Sequence, residues 1–187
     1  MRNFVLSRRC LQGLCCVILL MLIASATAQA QAQAQAQYVL EADYKGPCEV
    51  AVSNDGNFVY VVEQDAKAVA LISTADQEVK STIAMPSVPT GICVSPDGSK
   101  LYVTCAAPEG VVCVVDAATG QITATIPVGH SARGPSVHPN GQFLYVCNRF
   151  DNDISVVDLT KGEEVQRIPA DREPFDSAIT PDGKTLF

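Results

Sequence analysis

Five cysteines, two histidines and a handful of charged side chains are the residues able to do chemistry between positions 38 and 187. Cys48, Cys93, Cys105, Cys113 and Cys147 are odd in number, so in an oxidising compartment at least one stays free or pairs outside the chain. The segment has no Cys-x-x-Cys-His, which argues against covalent c-type haem here, and no paired Cys-x-x-Cys to support zinc. The ordinary role of such cysteines is as small buried strand residues. Cys105 and Cys113 flank one short connection and could face each other across a hairpin. A disulfide between them is expected to need Cα atoms within about 7 Å and converging Cβ vectors.

His130 and His138 lack an Asp, Glu or Cys at ligand spacing beside both, so no metal pair is read there. Ser131 beside His130 invites a nucleophile reading, but neither Gly-x-Ser-x-Gly nor a positioned acid accompanies it. Asp151-Asn152-Asp153 has the opening of a calcium loop, yet Val156 stands where the sixth-position glycine belongs, and a turn is the better reading. No catalytic residue and no metal site are therefore assigned.

The elements that must position these groups recur. Asp55-Gly56, Asp97-Gly98, Asn140-Gly141 and Asp182-Gly183 follow one another at steps of 42, 43 and 42 residues. Tyr60, Tyr102 and Tyr145, then Ile83, Ile126 and Ile168, then Asp116 and Asp158 keep the same beat. A period of about 40 to 45 residues is that of a four-stranded propeller blade. Inside the repeat, Ile92 and Val94 alternate with Cys93 and Ser95, Asp97-Gly98 makes a hairpin turn, and Leu101 and Val103 alternate with Tyr102 and Thr104. A third strand is expected at 111–115, and Thr119-Gly120 turns the chain into a fourth at 121–128. The next copy matches at 143–147, 153–158, Lys161-Gly162 and 164–168. The first copy is looser: Thr74 aligns with Asp116 and Asp158, and Glu78 with Gly120 and Gly162. His138 takes the place of Ser95, immediately before Pro139 and a turn, which points to a structural role.

Ser95-Pro96-Asp97-Gly98, Leu101-Tyr102-Val103-Thr104, Val114-Val115-Asp116 and Thr119-Gly120 together resemble the bacterial YVTN β-propeller repeat, over residues 38–187. Each copy departs from the Tyr-Val-Thr-Asn strand: Cys105 replaces its Asn, Cys147 replaces its Thr, and Tyr60-Val61-Val62-Glu63 lacks both. The resemblance implies an all-β propeller. It implies no single function, because its relatives include exported binding propellers, lactone hydrolases, quinoprotein dehydrogenase subunits and propellers joined to c-type cytochrome domains.

Residues 1–30 read as an export signal: Arg2, Arg8 and Arg9, then the apolar run 11–23, then Ala24-Ser25-Ala26 or Ala28-Gln29-Ala30. Residues 31–37 continue an alternating Gln/Ala run that reads as a tether. The rest, 38–187, divides into blades at about 47–88, 89–131 and 132–173, with a partial blade at 174–187. With 48% hydrophobic and 18% charged residues there is material for a core. Loss of the signal removes three arginines and no acids, taking the formal charge from −7 to −10. Such a surface disfavours nucleic acid and anionic membrane as partners. The expected location is exported, periplasmic or extracellular.

In an antiparallel blade the first-to-second and third-to-fourth turns fall on one face of the ring, and the other connections on the opposite face. The second set is longer, varies between copies, and holds Glu109, His130, Arg133, Arg149, Asp151, Asp153, Arg172 and Glu173. Variable polar loops on a rigid scaffold are where binding usually resides. His130, Arg133, Arg149 and Arg172 are accordingly the expected grip on a small anionic ligand or an acidic partner protein. The reading is a binding or scaffold propeller. The alternatives are a lactonase-like hydrolase, or part of a quinoprotein-like or cytochrome-linked redox protein, with haem or quinone supplied by a partner or a further domain. Three and a half blades form an open arc, so the missing blades of the same ring are themselves expected partners, with Tyr38–Tyr44 pairing into the last of them.

Overall fold

A computed structural model describes residues 44–187. The expected signal, tether and N-terminal strand at 1–43 lie outside the described residues. The described residues hold twelve strands and no helix: β1 Pro47–Val52, β2 Phe58–Glu63, β3 Ala68–Ser73, β4 Val79–Ala84, β5 Val88–Val94, β6 Lys100–Ala106, β7 Val111–Asp116, β8 Ile122–Pro127, β9 Ala132–Val137, β10 Phe143–Asn148, β11 Asp153–Asp158 and β12 Glu163–Pro169. They form three antiparallel sheets, each four strands in sequence order. Beyond β12 a single bridge, Ile179 to Leu186, begins the next hairpin. The architecture is an incomplete β-propeller, with β1, β5 and β9 as the first strands of successive blades.

Side chains alternate across each strand, so a central blade must be apolar on both faces. Leu101, Val103 and Cys105 face the first blade and pack with Tyr60, Val62, Val69 and Met85. Tyr102 faces the third blade, where Val112, Val114 and Ile126 meet Leu144, Val146 and Val157. Leu101, Val103, Leu144 and Val157 are fully buried, and each such side chain contributes roughly 1.5–3 kcal/mol by leaving water. These layers hold the blades at a fixed angle, which fixes the loops between them.

The recurring turn is a hydrogen-bonded unit. Ser95 Oγ donates to Asp97 Oδ1 at 2.6 Å and accepts from the Lys100 amide at 2.9 Å, while Asp97 Oδ1 accepts from the Ser99 amide at 3.1 Å. Ser53–Asp55 and Thr180–Asp182 repeat the same carboxylate contact at 2.6 Å. In the third copy His138 substitutes: its Nδ1 accepts from the Asn140 amide at 3.1 Å, and its Nε2 reaches the Gly183 carbonyl at 3.2 Å. That contact ties one blade's turn to the next, as Asn54 Nδ2 does with the Pro96 carbonyl at 2.9 Å.

The third-to-fourth turn of the first blade differs from its expected alignment by one residue. Gln77, with φ of 61°, holds the left-handed position of Gly120 at 69° and Gly162 at 72°. Its amide bonds the Ser73 carbonyl as Gly120 bonds Asp116 and Gly162 bonds Asp158. Ser73 and Gln77, rather than Thr74 and Glu78, are therefore the equivalents. The sequence misleads because Gln is an uncommon tenant of that conformation.

Candidate functional site

The loop face carries two charged clusters and, where the first strands converge, a pocket. The pocket has a volume of about 160 Å³ and is lined by residues that include Cys48, Glu49, Thr90, Arg133, Phe175 and Asp176. Cys48, Thr90, Arg133 and Phe175 each stand five residues before the head of their blade's turn, at Ser53, Ser95, His138 and Thr180. One register position thus supplies the wall from four successive repeats. The strands can come this close because Gly134 lacks a Cβ: one added there would lie 2.7 Å from the Cα of Asp176, at a φ of 52° that favours glycine. Thr90 Oγ1 donates to the Ala132 carbonyl at 2.5 Å and ties β5 to β9 beside the pocket.

Arg133 sits within β9 rather than on a free loop. Its guanidinium carbon lies 3.5 Å from the centre of the Phe175 ring, which covers one face of the cation. Nε is buried without a hydrogen-bond partner. Burial, then the nearby Arg149, lower the pKa of Arg133, while Asp176 partly offsets this. Glu49 and Asp176 also line the pocket, but neither is within ion-pair distance of Arg133 among the described residues. Partial removal of a cation from water without a partner carries a cost, and a bound anion would offset it.

The remaining expected residues fare differently. Arg149 is engaged: Nη2 and Nε meet Glu173 Oε2 at 2.8 and 3.2 Å, and its guanidinium lies 5.0 Å from the Phe150 ring. Arg172 projects into solvent, 90% exposed, with Nε 3.8 Å from Glu173. His130 stands edge-on to Phe150 at 5.1 Å, its amide donating to Asp151 Oδ2 at 2.8 Å. Only Arg133 of the four lines the pocket.

The Asp151-Asn152-Asp153 turn belongs to the second cluster. Arg167 Nη1 lies 3.2 Å from Asp151 and 3.3 Å from Asp153, and its Nε lies 2.8 Å from Glu164. A guanidinium therefore fills the space among three carboxylates. Beneath it, fully buried Asn148 donates to Asp153 Oδ1 at 2.6 Å and to Ser155 Oγ at 2.7 Å, and accepts from the Gly129 amide at 3.0 Å. The Asn of Tyr145-Val146-Cys147-Asn148 thus pins the loop that carries His130.

Phe175 had no mark in composition or local motif. Its signal was register, the same offset from Thr180 that Arg133 has from His138.

Comparison with known proteins places this geometry. The chain is 24% identical over 129 residues to the seven-bladed beta-propeller protein Rv1057 of Mycobacterium tuberculosis, covering 67% of this chain and 33% of that protein. It is 25% identical over 120 residues to antigen Lp49 of Leptospira interrogans, covering 57% of this chain and 26% of that protein. Among solved structures, hydrazine synthase of Kuenenia stuttgartiensis superposes with a TM-score of 0.72 at 33% identity, over 77% of this chain and 42% of that one. The chain spans about a third of the length of the first of these relatives. The family profile described as the cytochrome D1 heme domain matches residues 53–184, and the chain belongs to that family of β-propellers.

Proposed function

We propose that this propeller segment is an exported binding module that takes a small acidic ligand into the pocket between its first strands, with Arg133 receiving the acid group. The observation that carries the reading is the stacked, partly desolvated guanidinium whose Nε has no partner. Arg presents a planar fork suited to a carboxylate, and stacking on Phe175 leaves its N–H edge for the ligand. Glu49 and Asp176 line the same pocket, so the rest of the ligand must offer donors or positive charge. At about 160 Å³ the pocket suits one small head group.

The family match favours a second reading, in which the segment is part of a redox propeller and the acid belongs to a tetrapyrrole. The residues present fit only part of such a group. Arg133 suits a carboxylate edge. An axial ligand to iron is wanting among the described residues of the pocket: both ring nitrogens of His138 are engaged at the opposite face, and His130 does not line it. The pKa of the Cys48 thiol is raised by partial desolvation and then by Glu49, with Arg133 opposing.

Thermal shift at fixed ionic strength tests both readings with β-alanine, which carries one carboxylate and one ammonium, and with metal-free protoporphyrin IX and its dimethyl ester. Under the first reading, β-alanine stabilises the chain saturably, by about 2.7 kcal/mol at a hundred times its Kd, and Arg133→Gln abolishes the effect. Protoporphyrin stabilisation that the dimethyl ester fails to reproduce supports the second. An identical response of the parent chain and Arg133→Gln to every probe refutes the role of Arg133.

A further inference from the structure

Two fully buried thiols, Cys105 and Cys113, meet at 3.9 Å between sulfur atoms. They lie on adjacent strands, where Cys105 pairs with Val111 and Val103 pairs with Cys113, so the two cysteines form a diagonal on one face. The third blade has the same diagonal, since Asn148 pairs with Asp153 and Val146 with Ser155. There it holds the 2.7 Å hydrogen bond from Asn148 to Ser155. In the first blade the corresponding place of Cys105 is taken by Glu63, charge-paired with Lys45 at 3.7 Å. The third blade thus uses this diagonal to clip its second strand to its third, the first blade has Ala70 across the diagonal from Glu63 and makes no such clip, and the second blade has two thiols in it.

From this geometry we infer that Cys105 and Cys113 form a disulfide as the β6–β7 hairpin assembles, before the first blade packs over it, and that the closed core then seals the bond. The sequence separation of eight residues makes the hairpin a local structure that forms early. In the finished fold Tyr60, Val62, Val69 and Met85 lie in the same apolar layer as both sulfurs, so neither a disulfide oxidant nor a thiolate reductant has access. In the step itself, one of the two thiolates attacks a small disulfide oxidant such as oxidised glutathione and releases one thiolate. The other protein thiolate then attacks the protein sulfur of the mixed disulfide and releases the second. Two protein thiols lose two electrons and two protons, and the oxidant becomes two thiols. Among the described residues Cys48, Cys93 and Cys147 make no comparable sulfur–sulfur contact.

Refolding the unfolded, reduced chain with a glutathione redox couple, then quenching with iodoacetamide and digesting with trypsin, tests the inference. Both cysteines fall in one peptide, 101–133, which holds no other. The expected result is that this peptide is unalkylated and about 2 Da lighter than its dithiol form. In a parallel arm the chain is folded with dithiothreitol, desalted and then given oxidised glutathione; it should keep both thiols for hours and form the bond only after urea is added. A doubly alkylated peptide from chain that refolded cooperatively in the redox couple overturns the bond. Rapid oxidation of the folded, reduced chain overturns the sealing, and a linkage from either cysteine to Cys93 overturns the pairing.

Discussion

Replacing Asn148 with alanine should be among the most damaging single changes on the loop face. The side chain is fully buried and makes three hydrogen bonds, to the Gly129 amide, Asp153 and Ser155. Two of the three partners retain company: Asp153 keeps Arg167, and Ser155 keeps Glu164 at 2.5 Å. The Gly129 amide does not, because it is left buried with its acceptor gone. An orphaned buried amide costs about 1–3 kcal/mol, and the two weakened contacts add about 0.5–1.5 kcal/mol each. The sum, allowing for relaxation, is roughly 2–4 kcal/mol, or about 10 °C in melting midpoint for a chain of this size. Urea titration followed by circular dichroism gives the stability, and native-state hydrogen exchange should show the Gly129 amide losing protection first. Ser155→Ala, which leaves the Gly129 contact intact, should cost about 1 kcal/mol. A loss below about 0.5 kcal/mol for Asn148→Ala at unchanged m-value, or unaltered protection at Gly129, would refute the reasoning.

Gln77→Gly should stabilise the chain by about 0.5–1 kcal/mol, because it relieves a left-handed φ of 61° that glycine occupies in the next two blades; equal or lower stability in urea contradicts this. Gly134→Ala should destabilise and should also disturb Arg133, since the new methyl meets the Asp176 backbone at 2.7 Å; an unchanged melt contradicts the close approach. The turn aspartates predict an acid transition. Hydrogen bonds from Ser95 and Ser99 hold Asp97 down to about 2, and Asp55, Asp116, Asp158 and Asp182 are lowered in the same way. Their stabilisation is present above the unfolded aspartate pKa of about 4 and is lost as pH falls toward 2. The melting midpoint should fall across that window, and less steeply for Ser95→Ala; a flat profile would count against the turns.

What was legible in the sequence was local or periodic. Asp-Gly pairs mark turns by backbone chemistry, and the alternation in 92–95 and 101–104 marks strands, so the blades follow from spacing. The same spacing placed His138 in a structural role, and both of its ring nitrogens are indeed spent on backbone groups. The site was less legible because its determinants are long-range. Nothing near Arg149 announces that Glu173, 24 residues on, will neutralise it. The ring that covers one face of the Arg133 guanidinium belongs to a phenylalanine 42 positions later. The one-residue slip at Gln77 arose because a residue other than glycine or asparagine in a left-handed turn carries no compositional flag. Three rim arginines of equal promise in sequence thus became one partly desolvated cation, one paired cation and one solvated cation.

The central claim, that Arg133 waits for an acid group, is tested most directly by following its own Nε–H resonance in uniformly 15N-labelled chain, assigned by its loss in Arg133→Gln, during titration with β-alanine. The account predicts a saturable shift of that resonance with the other arginine Nε–H signals little changed, and slower exchange with water at saturation. A resonance for Arg133 that stays put while β-alanine is raised well beyond millimolar concentration, or that moves only in step with Arg172, would contradict it.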